Sequence, residues 1–449
     1  MSTARNTTTG FLAGLLLLAL WPGGAFAQGG AWETSMAAGM SAYQQGRYAE
    51  AEEQFSSALK EAEAFGPEDP RLASSLNNLA SLHAARGQAS RAEPLSRQAL
   101  AIRQKALGPE HPDVATSLDN LGSIYAVQGR YTQAEPLLGQ ALRIREKALG
   151  PEHADVAQSL NNLVELHRAR GRAAEAEPLA RRALATAEKA RGPEHPDVAT
   201  GLNNLAGLHL AWGRYAEGLP LYRRALEIRE KALGPEHPHV ATSLNNLGVL
   251  HATWGQPAEA EVLYRRALVI AEKALGPEHP QVATSLNNLA LLHVTQGKHA
   301  EAEPLYTQAL AIDQKALGAE HPSVATDLNN AGLLYASRGE FDRAEPLYHR
   351  ALAIREKVLG REHPDVASTL TNLAVLHHEQ GRHRQAVFLY RRACDIREKV
   401  FGPEHPQVAA SLENYATLLR EMNYQGMAAA LEARAEQIRA KLAQATPTK

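Results

Sequence analysis

The sequence predicts an all-α solenoid, a superhelix of about ten stacked helix-turn-helix units. Three observations lead there. Nine glycines, Gly66, Gly108, Gly150, Gly192, Gly234, Gly276, Gly318, Gly360 and Gly402, stand 42 residues apart without a slip, and a period of roughly 20 to 50 residues marks one supersecondary unit stacked many times. Within a period, Leu118, Leu121, Gly122 and Tyr125 recur at i, i+3, i+4 and i+7, the spacing of one apolar helical face. Alanine or glycine returns at two positions per period, with Val164 the one larger exception, where helix axes must come close.

The chain opens with a different kind of segment. Met1 to Thr9 carries Arg5, Phe11 to Leu20 is almost wholly apolar, and Ala25-Phe26-Ala27 follows. This reads as a signal peptide over residues 1–27, cleaved before Gln28, because the apolar run falls short of the ~20 residues that span a bilayer. The alternative is a retained anchor, with Trp21 lengthening the run before Pro22-Gly23-Gly24 ends it. The mature chain is expected to be exported, periplasmic or secreted, with a solenoid over 28–444 and a disordered tail over 445–449.

The copy from His111 to Gly150 shows why each period holds two helices. Pro112 suits the first turn of the first helix, where the missing N–H has no partner to lose. Gly129 ends that helix and returns at Gly171, Gly213, Gly255, Gly297, Gly339 and Gly381, as a tight turn with positive φ requires; the last copy offers Asn423 there. The second helix is expected from about Thr132 to Leu149, with Ala134, Leu138 and Ala141 inward and Arg143, Arg145, Glu146 and Lys147 solvated. Pro136 and its counterparts Pro94, Pro178, Pro220, Pro304 and Pro346 are expected within its first turn or so. Gly150-Pro151 stops it. Ten first helices can be placed; the first copy, Trp32 to Gly66, is degenerate, with a second helix one residue short, and the last suits a terminal cap.

These small and large residues resemble the tetratricopeptide repeat signature. The 42-residue form, G-P-E-H-P-x-V-A-T-S-L-N-N-L-A followed by A-E-P-L-Y-x-R-A-L-x-I-R-E-K-x-L, is similar to the kinesin light chain branch over residues 32 to about 444. The resemblance implies a right-handed superhelix that binds peptides in its concave groove, and an asparagine in the first helix that takes part in binding. It does not carry a transport role, since the chain has no heptad segment and begins with an apolar leader.

On a helical wheel, the face opposite Leu118 and Tyr125 holds Thr116, Asp119, Asn120, Ser123 and Ala126. Asparagine recurs there at Asn204, Asn246, Asn288, Asn330 and Asn372, usually with a second just before it, although asparagine is a poor helix former. Two readings stand: the amides brace the stack, or they pair with the main chain of an extended peptide. At the centre of the stripe Ser81, Ser123, Glu165 and Gly207 give way to Val249, Leu291, Leu333 and Val375. Exposed apolar patches mark interaction sites. Repeats six to nine are therefore the expected peptide-binding segment, unless curvature buries the apolar row against neighbouring first helices. Trp212 and Trp254 occupy corresponding turns and form a candidate rim patch, or each covers its own turn.

Lysine and arginine total 47 against 49 aspartates and glutamates, a balance without the basic stripe of nucleic-acid binders. Cys394, the single cysteine, stands where other copies have leucine and is expected in the core. The Pro-Glu-His-Pro histidines lie one per repeat, too far apart to share an ion, so no metal or cofactor is expected and helix-start packing is the preferred account. No catalytic constellation interrupts the repeat, and the chain is not expected to be an enzyme. The function expected is a protein-interaction scaffold holding an extended partner segment; the rival is an architectural, self-associating solenoid with an idle groove.

Overall fold

A computed structural model describes residues 30–445. The expected signal peptide at 1–27 and residues 446–449 of the expected tail lie outside the described residues. The described chain divides into two compact units, up to His321 and from Pro322.

The first unit holds seven helix pairs: α1 (Ala31–Gln44) with α2 (Tyr48–Glu63), α3 (Pro70–Ala85) with α4 (Ala89–Leu107), α5 (Pro112–Val127) with α6 (Tyr131–Leu149), α7 (Ala154–Ala169) with α8 (Ala173–Arg191), α9 (Pro196–Ala211) with α10 (Tyr215–Leu233), α11 (Pro238–Thr253) with α12 (Pro257–Leu275), and α13 (Pro280–Thr295) with α14 (His299–Leu317). The second holds three: α15 (Pro322–Ser337) with α16 (Phe341–Val358), α17 (Pro364–Glu379) with α18 (His383–Phe401), and α19 (Pro406–Glu421) with α20 (Gln425–Ala445). Each odd helix packs on its even partner, and that partner on the next odd helix of the unit, so the core grows as a line. One cluster shows the pattern: Val240, Ala241 and Leu244 of α11, Ala267 and Ile270 of α12, Val282 and Leu286 of α13, and Ala309 and Ile312 of α14.

The Pro-Glu-His-Pro segment proves to be a helix-start device. His111 lies in extended backbone (φ −74°, ψ 141°) and its Nδ1 accepts the Asp113 N–H at 3.1 Å, ahead of Pro112 at the first helical position. The imidazole thus satisfies one of the donors that a helix start leaves without an internal acceptor. His153, His195, His237, His279, His363 and His405 repeat the bond. The glutamate beside each histidine reaches the lysine near the end of the same repeat, as in Glu194 to Lys231 at 2.8 Å. Both side chains of that pair are more than half exposed, so it adds little stability.

Gly129 at φ +70° and Asn423 at φ +66° make the turns expected of them. The prolines sit deeper than expected. Pro136 is the sixth residue of α6, past the first turn, so it removes one intrahelical bond; it faces solvent, where water meets the freed carbonyl. The first repeat is also more degenerate than its sequence count suggests, with α2 at 16 residues against 19 in α4.

Close approach accounts for the small residues. Ala141 is fully buried, and a Cβ added to Gly248 would lie 2.5 Å from the Tyr264 ring. Gly248→Val is expected to cost about 1–3 kcal/mol by overpacking, measurable as a lower urea midpoint. Gly248→Ala is expected to be far milder, since alanine stands at the same place beside Tyr222 as Ala206.

Arg145 departs from expectation. It is 4% exposed rather than solvated, and so are its counterparts Arg103, Arg229, Arg355 and Arg397 in substance, all below a tenth. Each reaches across to the next repeat. Arg355 Nη1 donates to the Asp365 carbonyl at 3.0 Å and to Thr369 Oγ1 at 2.7 Å, while its Nη2 donates to Thr326 Oγ1 at 3.1 Å. Arg229 makes the same set with the His239 carbonyl, Ser243 and Thr200. Burial draws Arg229 and Arg397 down to about 10, which leaves both charged at neutral pH. The rung is missing at Ala187, where Gly201 also replaces the acceptor serine and a Cβ on Gly201 would lie 3.2 Å from Leu184 Cα, and at Ala271, where Ser285 is kept. Cys394 is buried among Val408, Leu412 and Ile438, and burial pushes its thiol up to about 12.

Candidate functional site

Which helices face the concave side follows from their spacing. In the first unit α3, α5, α7, α9 and α11 each pack directly on the next odd helix, as α15 does on α17 in the second unit. Successive even helices do not pack comparably, so the first helices form the tighter, inner layer.

That closeness changes the stripe. The central residues Ser81 and Ser123 are 2% and 3% exposed, not open as the helical wheel suggests, because each first helix is flanked by first helices on both sides. Asp119, expected on the same face, is also buried and ion-paired with Arg145. Farther along, the stripe opens. In the first unit Val249 and Leu291 are half-buried, with Val249 packed on the cluster of Tyr264, Leu289 and Leu292. In the second unit Leu333 is half-buried and Val375 is 38% exposed.

The asparagine ladder is mostly engaged within the stack. Asn204 Nδ2 donates to Asn161 Oδ1 at 3.0 Å, and Asn288 Nδ2 to Asn245 Oδ1 at 3.4 Å. In the second unit Asn372 Nδ2 donates to Asn329 Oδ1 at 2.9 Å. The preceding asparagine continues the chain of bonds: Asn77 and Asn245 each donate to the serine of the next repeat, Ser117 and Ser285, at 2.9 Å. Asn246 is half-buried, and Asn330 is only 9% exposed. The bracing reading thus accounts for the Nδ2 donors of Asn204, Asn288 and Asn372.

The two tryptophans behave differently. Trp212 packs on Val164, Leu205 and Leu208, with Arg214 stacked 4.7 Å over its ring, so it covers its turn. Trp254 is 38% exposed and its ring lies 6.0 Å from Tyr215 of the preceding repeat. A shallow concavity of about 340 Å³ opens beside Glu261, His293 and Lys298, on the turn edge of repeats six and seven. Among the described residues no group of three histidine, cysteine or acidic side chains converges on a metal position, and no helix is long and apolar enough to cross a membrane. The buried arginines escape a helical wheel; an arginine followed 14 residues later by serine or threonine, at Arg103/Ser117, Arg145/Ser159, Arg229/Ser243, Arg355/Thr369 and Arg397/Ser411, is the signal the sequence holds for them.

The sequence profile of the tetratricopeptide repeat matches residues 113–189, 155–217, 197–273, 255–315, 290–348 and 323–399, and a second such profile matches 72–113. The chain belongs to the tetratricopeptide repeat family. No curated protein matches it. Among solved structures it is similar to BtubC (BKLC) from P. vanneervenii, 27% identical over 52% of this chain and 93% of that one, with a TM-score of 0.41. A putative kinesin light chain of Podosopora anserina, with nearly identical repeats of this type, is 30% identical over 46% of this chain and 98% of its own, with a TM-score of 0.39. A Rap protein complexed with competence and sporulation factor is 15% identical over 82% of this chain and 98% of its own, with a TM-score of 0.56, a likeness of fold. As a tetratricopeptide array the chain is a scaffold for protein interaction.

Proposed function

We propose that this tetratricopeptide protein holds an extended peptide segment of a partner against its first helices, with the apolar row rather than the asparagine amides as the main contact. One observation carries the reading: the stripe centre passes from buried serine, 2% exposed at Ser81, to valine 38% exposed at Val375. An apolar side chain left open on an inner layer, where neighbours could cover it, is a surface held ready for a partner. Asn204, Asn288 and Asn372 have each given one amide hydrogen to the stack, which leaves a second hydrogen and the carbonyl lone pairs for the main chain of a ligand. The ligand class that fits is an extended segment with apolar side chains. The apolar leader at residues 11–20 supports an exported setting, periplasmic or secreted, for this activity.

Peptides selected from a displayed random library on the full chain provide the test. Leu291→Ser in the first unit and Val375→Ser in the second are each compared with the wild type. A loss of about tenfold or more in affinity, the scale of a truncated contact at an interface centre, is expected for at least one. Unchanged Kd in both, with unchanged circular dichroism, overturns the assignment.

A further inference from the structure

In each repeat after the first, the first helix runs from the loop that precedes it to the tight turn, and the second returns. All turns therefore lie along one edge of the two-helix ribbon and all loops along the other. In the first unit these opposite edges meet. His321, in the loop after repeat seven, has its Nε2 3.0 Å from the Ala85 carbonyl at the turn of repeat two, 236 residues away. His279, in the loop after repeat six, packs on Gly46 in the turn of repeat one so tightly that a Cβ there would lie 2.5 Å from its Cδ2. The same step of one repeat separates the two contacts on both edges. Their register is that of a ribbon wound until its edges touch.

Two further features mark this as a built contact. Tyr43 and Tyr48 flank the Gly46 turn with rings 5.6 Å apart, and burial, then the carboxylate of Asp313, pushes the Tyr48 hydroxyl up to about 12. Asp313 stands at the position where Arg103, Arg145 and Arg229 form rungs, and here a carboxylate faces the tyrosine pair instead. Burial also lowers His279 and His321 to about 4, so both rings are neutral at neutral pH. A neutral His321 with its proton on Nε2 donates to the Ala85 carbonyl.

We propose that this edge-to-edge contact is a latch that closes the inner space of residues 31–321 from the side. An extended polypeptide then reaches the first helices of this unit only along the axis or after the latch opens. The inference rests on the inner-face reading proposed above and adds the route of entry. A ligand that binds the open form better than the closed one opens the latch in proportion to that difference.

The full chain serves for the test, with nitroxide labels on cysteines introduced at the exposed positions Gln45 and Glu278, the buried Cys394 remaining unlabelled. Gly46→Ala puts a methyl group into the His279 ring. Gly297→Ala is its control, with φ +73° against +70° and nothing within 4 Å of the new Cβ, so both carry the same backbone strain and one touches the latch. His321→Asn removes the Nε2 donor while keeping a residue that favours helix starts. A single short distance is expected in the wild type and in Gly297→Ala, with a long-distance population appearing in the other two. In parallel, a cysteine at Leu291 is modified by a small maleimide and by a polyethylene-glycol maleimide. The ratio of polymer to small-reagent rates is expected to rise about fivefold, the worth of one net hydrogen bond, in Gly46→Ala and His321→Asn alone. A long or broad distance in the wild type, or Gly297→Ala behaving as Gly46→Ala does, overturns the latch. Neither readout uses a ligand, so the latch can fail while the groove stands or falls separately on the peptide affinities of Leu291→Ser and Val375→Ser.

Discussion

Replacing Arg145 with alanine is expected to destabilise α5 to α7 by about 3–5 kcal/mol, the range for breaking a buried ion pair from one side. Arg145 and Asp119 are 5% and 7% exposed at their side chains. The guanidinium also donates to Ser159 Oγ at 2.6 Å, and that hydroxyl donates to Asp119 Oδ2 at 3.1 Å. Burial raises the Asp119 pKa, against the pull of Arg145 and of Ser159. Without the arginine only the hydrogen bonds of Ser159 and Asn162 oppose desolvation, and the carboxylate binds a proton more readily on folding. Asp119→Asn is expected to be nearly neutral, because the amide keeps an acceptor for Arg145 and removes a buried charge at a site where Asn77, Asn161 and Asn245 already stand. The double variant should therefore lose less than the sum of the single ones, which a double-mutant cycle reads as coupling. An array unfolds by parts, so amide exchange resolved over α5 to α7 is the appropriate measurement. Equal losses for Arg145→Ala alone and with Asp119→Asn would deny the pair its role.

What the sequence disclosed depended on how many neighbours a residue has. Positions that face one partner helix were readable from a helical wheel: Leu118, Gly122 and Ala141 lie where their spacing places them, and Asn423 adopts the positive φ that its turn position implies. The first helices have several partners: their own second helix, the preceding one, and first helices on both sides. A wheel divides such a helix into an inside and an outside that it does not have, and so places Ser81, Ser123 and Asp119 on an open face although they are buried. Arg145 was hidden by its company. In the run Arg143-Ile144-Arg145-Glu146-Lys147 it looks like one more surface charge, and only the hydroxyl 14 residues on separates it from Arg143. The candidate stripe was legible as a change from serine to valine along a fixed ruler, but its exposure was not, since curvature decides which of Val249, Leu291, Leu333 and Val375 stays open. The contact between Ala85 and His321 leaves no local trace in the sequence beyond the aspartate at 313.

Acid should loosen this protein well before its carboxylates protonate. His279 and His321 are each lowered from 6.5 to about 4 by burial, and His239, whose ring is solvent-exposed, is lowered by desolvation and then by the Arg229 and His237 charges to an extent that solvent screening discounts. In the unfolded chain each histidine takes up a proton near pH 6.5; in the folded chain His279 and His321 take up none until about pH 4. The unfolded state thus binds more protons across that window, and stability falls as the pH drops from 6.5 toward 4, by up to about 1.4 kcal/mol per pH unit for each of His279 and His321 and by less for the exposed His239. Above pH 6.5 the three contribute no pH dependence. Carboxylates act lower down: the Arg265 and Arg382 guanidinium groups hold Glu261 and Glu345 below their ordinary value of 4.5, so the stability those pairs add is lost only beneath that pH. A thermal melt followed by circular dichroism should show a midpoint steady from pH 8 to 6.5 and then falling. His239→Gln removes one proton from the slope without disturbing the helix start, since Gln281 and Gln407 hold the same position beside their own capping histidines. A midpoint flat down to pH 5 would show that these rings titrate alike in the folded and unfolded chain, and a His239→Gln slope equal to that of the wild type would show the same for His239.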